Sequence, residues 1–282
     1  MRVLSTMLLS GLLLLLFSCD SNHADVPVEQ PQTGSKKTKS ATASPQEDIV
    51  IDREAILKDF GTWYNYTYYT IRLAQDFIGL SADSVTMRKA AFLTQLETGN
   101  YVPFKIKEKD KKPVYKLYPL QHGNEDIRAG IKQLAAIEKE HFKMEGSELP
   151  DFDFADVNGK KYSKATTKGN ILLLKCWFIN CVACVQEFPA LNKLVDKYND
   201  RNDLRFVSLA TDSKEKLLPF LSKRNFNYAV VPLAGEYMTD KLKVTEYPTH
   251  ILVDRNGKIV KVTNTVEDMI PSLEQQIGKT SL

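Results

Sequence analysis

The sequence predicts an α/β fold with a mixed sheet flanked by helices, preceded by a small α+β region. Three observations predict it. Residues 171–179 (ILLLKCWFI) are almost all apolar and β-compatible, which suits a strand buried on both faces. From there strand and helix patterns alternate to about residue 242. Asn158-Gly159 and Asn256-Gly257 each lie between alternating segments, a strong hairpin signal.

The central stretch is residues 171–189. Asn180 breaks the apolar run, Cys181-Val182-Ala183-Cys184 follows, and a helical pattern takes over. A sulfur at the start of a helix meets unpaired N–H groups and the positive end of the macrodipole, both of which favour thiolate. A free thiol of pKa ~8.5 is only a few per cent ionised at neutral pH, and lowering it to ~7 makes about half of it thiolate. The second sulfur lies one turn on, close enough to close a disulfide.

Composition bounds the alternatives. The 282 residues, 43% hydrophobic and 10% aromatic, allow about two domains with a sizeable core. A net charge of +3 is too mild to argue for nucleic acid. The lysines around residues 105–112 read as solvated surface. Four cysteines with one close pair do not make a disulfide-stapled scaffold. Cys176, inside the strand pattern, reads as a buried, inert thiol.

In chain order, residues 1–18 read as a signal segment. Arg2 gives a basic start, and the apolar run of residues 7–17 is shorter than the ~20 residues of a membrane span. Leu16-Phe17-Ser18-Cys19 resembles a bacterial lipobox, which implies cleavage before Cys19 and a lipid on its sulfur; an ordinary signal peptide cut nearby is the alternative. Residues 19–48, rich in Ser, Thr, Pro, Gln, Lys and Ala, read as a lipid-anchored flexible tether.

Residues 49–146 read as a small α+β domain without evident chemistry. The expected elements are a short helix at 52–60, a strand at 63–73 with Tyr64, Tyr66 and Tyr68 on one side, and a helix at 84–96. A hairpin of residues 101–106 and 114–120 and a long helix at 125–144 complete it, with His141 a helix-face residue. Residues 147–282 hold the larger fold. Strands are expected at 171–178, 204–210 and 228–233, and a hairpin at 250–254 and 258–262. Helices are expected from Cys181 (kinked at Pro189), after Ser213, at 237–242 and at 266–277.

From about residue 148 onward the chain resembles the thioredoxin superfamily, specifically the TlpA/ResA-like envelope thiol-disulfide oxidoreductases. The ordered matches are the Asn158-Gly159 hairpin, the strand ending Trp177-Phe178, the Cys181/Cys184 pair, Glu187 and Pro189 in EFPALN, Tyr247-Pro248-Thr249, and Val253-Asp254 before Asn256-Gly257. The run WFINC…C…EFPALN looks most like lipid-anchored members from Bacteroidetes-type envelopes.

The resemblance implies a thioredoxin-like mixed sheet and a disulfide reductase facing the periplasm. It implies no cofactor beyond a redox-active Cys181–Cys184 disulfide, with Cys181 the exposed nucleophile and Cys184 the buried resolving thiol. Pro248 would be a cis-proline facing the pair. Tyr247 and Thr249 would meet substrate, and Trp177 would support the site. Glu187 would point back toward the thiols and assist proton movement, or be a solvated helix residue. The partners implied are envelope proteins with disulfides and a membrane electron donor, with cytochrome c maturation one compatible role.

Two positions depart from the family pattern. Asn180 stands where many relatives have Trp. Lys175 stands where thioredoxins have a buried acid. It either lies near the pair and favours thiolate or snorkels to the surface. Other classes fit less well. A peroxiredoxin-like peroxidase needs a Pro-x-x-x-Thr/Ser-x-x-Cys loop, and no proline precedes Cys181 at that spacing. A structural zinc needs four ligands, of which the pair supplies two; His250 could come near. In a non-enzymatic thioredoxin-fold binding lipoprotein the disulfide would be structural, yet so short a loop gains little from closure.

Overall fold

The computed structural model describes residues 49–121 and 123–279. The signal segment, Cys19 and the tether lie outside the described residues. All described residues belong to one unit of the fold. Its first part opens with α1 (Arg53–Leu57) and α2 (Phe60–Thr70), followed by β1 (Ile78–Leu80), β2 (Thr86–Met87) and α3 (Lys89–Glu97). The hairpin of β3 (Tyr101–Lys109) and β4 (Lys112–Pro119) and the long α4 (Glu125–Met144) complete it. The four strands are ordered β2-β1-β4-β3, with β1 parallel to β4. The hairpin and α4 stand where the periodicity places them.

Two expectations in this part are corrected. Residues 63–73 do not form a strand, because α2 occupies most of them. Asp59 adopts extended backbone and its carboxylate accepts the Thr62 N–H at 2.7 Å, a side-chain cap that starts the helix. Phe60, Tyr64 and Tyr68, spaced by four, then stack at 6.0 and 6.1 Å on the exposed face, while Trp63 and Thr67 are buried. The tyrosine alternation therefore does not mark a sheet face. Tyr66 leaves that row to pack on Phe104, and its hydroxyl accepts the Lys105 N–H. The helix expected from residue 84 starts only at Lys89. Ser84 turns with φ +65°, and Ser81 pairs with Val85, so Thr86 and Met87 return as β2 beside β1.

The second part begins with the hairpin of β5 (Asp153–Ala155) and β6 (Lys161–Ser163), turned by Asn158-Gly159. Asp156 accepts the N–H groups of Asn158 and Lys160, and Gly159 supplies φ +85°. Then follow α5 (Lys164–Thr167), β7 (Ile171–Trp177), α6 (Val182–Gln186) and α7 (Phe188–Lys197). After these come β8 (Leu204–Ala210), α8 (Lys214–Leu221), β9 (Ala229–Val231) and a π turn at Tyr237–Lys241. The hairpin of β10 (Thr249–Val253) and β11 (Ile259–Thr263) and the closing α9 (Val266–Gly278) end the described chain. The five-stranded sheet runs β11-β10-β7-β8-β9, with β7, β8 and β9 parallel and β10 antiparallel to β7. This is the thioredoxin-like mixed sheet flanked by helices.

All seven residues of β7 are buried, and its alternate residues feed two cores. Ile171, Leu173 and Trp177 face α6, α7, α8 and α9; Leu172, Leu174 and Cys176 face the opposite side. Each large aliphatic side chain buried this way contributes about 1.5–3 kcal/mol, which anchors the strand from which the cysteine turn departs. The two parts meet through polar groups. Lys261 on β11 donates to Ala74 O at 2.9 Å and pairs with Glu145, and Gln75 Nε2 donates to Asp268 at the start of α9.

Trp63 on α2 lies over Gly130 of α4, where an added Cβ would stand 2.6 Å from the indole ring. Gly130→Ala is expected to destabilise the fold by about 1–3 kcal/mol through overpacking, although alanine favours an isolated helix by about 1 kcal/mol. Denaturant unfolding checks this. Stability equal to or above that of the parent would show that α2 does not pack as described.

Candidate redox site

The site is built where β7 ends. Phe178 and Ile179 carry the chain off the sheet, and Asp212 accepts the Ile179 N–H at 2.8 Å, fixing the turn against the end of β8. Asn180, exposed, leads into Cys181, the N-cap of α6. Cys181 Sγ accepts the Cys184 N–H at 3.2 Å, the capping bond that serine or aspartate makes elsewhere, and one that favours negative charge on this sulfur. The two sulfurs form a disulfide. Cys181 does not stand exposed as expected: both residues are buried, Cys181 at 6% and Cys184 fully, which leaves Cys181 the nearer of the two to solvent. Val182, between them, is 70% exposed and offers an apolar surface beside Cys181. Cys176 takes no part. It is buried on the opposite face of β7, and burial pushes its thiol up to about 12.

The Tyr247–Pro248 peptide bond is cis. Thr249 pairs with Cys176 across the β7–β10 ladder, so Pro248 sits beside the exit of β7 towards the cysteine turn. Tyr247, half-buried, packs edge-on against Phe178 with ring centroids 5.3 Å apart. Asn264 donates to Pro248 O at 2.8 Å, holding the bend from the β11–α9 connection. Thr249 corrects an expectation. It is buried, and its hydroxyl donates to Glu246 O at 2.6 Å, so its side chain serves the bend and is not offered to substrate. Trp177 is also fully buried, edge-on to Phe188 at 5.1 Å, and supports the site from within the core.

Lys175, Glu187 and His250 converge beneath the redox helix. Glu187 occupies the joint between α6 and α7, where the expected kink falls, with Pro189 in the first turn of α7. One carboxylate oxygen receives both Lys175 Nζ and His250 Nε2, the latter at 2.9 Å, and the other accepts the Val266 N–H at 3.0 Å. Lys175 and His250 are fully buried. Lys175 therefore does not snorkel, and Glu187 is not a solvated helix residue. Burial alone would raise the Glu187 carboxyl. The hydrogen bond from His250, its charge when the ring is protonated, and the Lys175 cation outweigh it and hold the group down at about 2. The Lys175 ammonium is lowered by burial, against which Glu187 acts.

His250 is the residue that sequence reasoning left out of this cluster. It appeared only as a possible metal neighbour, whereas its Nε2 is committed to Glu187. Among the described residues no group of three His, Cys, Asp or Glu side chains is arranged to hold a metal. His250 could have been placed from its register opposite Lys175, a pairing that reads only once the strand order is known.

Comparison with known proteins places this geometry in a family. The Redoxin family profile matches residues 144–277. The thiol-disulfide oxidoreductase ResA of Bacillus subtilis is 30% identical over 141 residues, covering 49% of this chain and 79% of that protein. ResA of Bacillus cereus is 29% identical over 117 residues, covering 41% and 67%. Among solved structures, the thioredoxin domain of a thiol-disulfide oxidoreductase from Bacteroides vulgatus is 25% identical with a TM-score of 0.43, covering 46% of this chain and 96% of that one. With a buried strand delivering its cysteine pair to a helix start beside a cis-proline, the chain belongs to the ResA-like family of the thioredoxin superfamily and is a thiol-disulfide oxidoreductase.

Proposed function

We propose that this oxidoreductase works as a disulfide reductase on cell-envelope proteins, with Cys181 the nucleophile and Cys184 the resolving thiol. The observation that carries the assignment is the placement of the pair about one helix start, Cys181 at its cap and Cys184 fully buried within it. In the reduced protein the Cys181 thiolate attacks a substrate disulfide, forming the Cys181–substrate bond and releasing one substrate thiol. Cys184 then attacks Cys181, closing the intramolecular disulfide and releasing the second thiol. Two electrons pass from the cysteine pair to the substrate, so the exchange needs no other cofactor. In this reading the backbone of Tyr247 pairs with an extended substrate segment.

The remaining assignments rest on the sequence. Cys19 carries a lipid, residues 19–48 tether the folded part to a membrane, and the protein faces the periplasm. No described helix is long and apolar enough to cross a membrane. Because the envelope is oxidising, the pair is recharged by a membrane electron donor that relays cytoplasmic reducing equivalents. Client proteins with disulfides, including those of cytochrome c maturation, suit such a reductase.

Replacing Cys184 with serine should trap client proteins as mixed disulfides on Cys181, visible by non-reducing electrophoresis and mass spectrometry. A variant that accumulates no adduct, or one attached through Cys176, would contradict the assignment. Cys19→Ser should move the full-length protein from the detergent phase to the aqueous phase of a detergent partition. Unchanged partition would remove the lipid anchor from the account.

A further inference from the structure

We propose that His250 is the buried base of the thiol–disulfide reaction: its Nδ1 takes the proton that Cys184 releases on attacking the mixed disulfide, while Glu187 and Lys175 position the imidazole.

His250 and Lys175 are paired across β10 and β7, so both side chains leave the same face of the sheet. Leu252, two residues on and on that face, shares a core with Cys181 and Cys184. His250 thus projects into the core that holds both sulfurs. Its Nε2 lies 2.9 Å from Glu187, which is three residues beyond Cys184 and ends the redox helix. A carboxylate at that distance fixes the proton on Nε2 and leaves Nδ1 with a bare lone pair. Nδ1 is buried and has no hydrogen-bond partner. A buried acceptor without a donor carries a desolvation cost, which a proton gained during the reaction would relieve. It is a vacant proton site on the sheet face that packs against the redox helix.

Charge decides which group takes the proton. Glu187 is held at about 2 by His250 and the Lys175 cation and stays ionised at neutral pH. Lys175 donates to that carboxylate. The charged groups facing His250 are Lys175 from β7, Glu187 from the α6–α7 joint and Glu267 from α9. Burial, with Lys175, outweighs both carboxylates and lowers the imidazole, so it is neutral and able to accept. Tyr228, also buried, faces Glu187, and burial keeps its phenol protonated.

The step balances. The Cys184 thiol loses its proton to Nδ1, and its electron pair forms the bond to Cys181 Sγ. The Cys181–substrate bond breaks and the substrate leaves as thiolate. The imidazolium, paired with Glu187, then returns its proton to that thiolate or to solvent. The cysteine pair is oxidised and the substrate disulfide reduced.

The inference rests on the exchange chemistry assigned above, which turnover of the unaltered protein tests separately. His250→Gln keeps an N–H for Glu187 but removes the base. With a model disulfide and dithiothreitol, its rate at pH 7 is expected to fall at least about a hundredfold, the lower end of the range of about 10²–10⁴ for general acid–base groups. The deficit should close as pH approaches the ordinary thiol range. An unchanged rate and pH profile, or a loss equal at every pH, overturns the proposal. Should the variant not fold, nitrogen NMR of His250 in the unaltered protein decides. The expected result is an Nε2–H tautomer in the oxidised form and a titration midpoint that differs between oxidised and reduced forms. A His250 signal identical in both redox states at every pH overturns it.

Discussion

One carboxylate holds the redox helix in place. Glu187 receives Lys175 from β7, His250 from β10 and a backbone N–H from the first turn of α9, and itself sits at the α6–α7 joint. Four elements distant in sequence are thereby referred to a single group. A buried ion pair is costly to desolvate, and removing one partner of such a pair typically costs about 3–5 kcal/mol. Losing one partner beneath the cysteines therefore costs more than the intact pair adds to stability. The imidazole and the helix N–H complete the hydrogen bonding that makes the buried charge tolerable.

From that fixed joint the asymmetry of the sulfurs follows. α6 begins where the chain has just left a fully buried strand, between the exposed Asn180 and Val182, and its first turn carries Cys184 inward. Cys181 stays at the cap, where the helix start favours a thiolate. Cys184 is carried into the apolar core, where a thiol stays protonated until something takes its proton. The same strand separates chemistry from scaffolding. Cys176, one residue after Lys175, faces the other core and is silent. The cis bond at Pro248 and the Asp212 contact to Ile179 border the turn on either side, so the approach to Cys181 is framed by fixed backbone.

Much of this was legible in the sequence because it is local. The apolar run of β7, the cysteine spacing, the Asn-Gly turns and the stripe of α4 each declare themselves within twenty residues. The failures were of two kinds. At residues 63–73, β-propensity and alternation pointed to a strand, but a single capping carboxylate at Asp59 and side-chain pairs four apart made a helix. At the site, Lys175 and Glu187 were each singled out, yet neither could be given its partner. Their meeting depends on β10 pairing with β7, which juxtaposes residues 175 and 250. Thr249 was misassigned for the same reason, since only the packed bend shows its hydroxyl turned inward to Glu246.

The exchange chemistry turns on Cys181 lying nearer to solvent than the fully buried Cys184. This is tested most directly by timing alkylation of the reduced protein with limiting iodoacetamide at neutral pH and locating the label by peptide mass spectrometry. The account predicts that Cys181 is modified first, with Cys184 and Cys176 protected until the protein unfolds. Label appearing on Cys184 as fast as on Cys181 would contradict it.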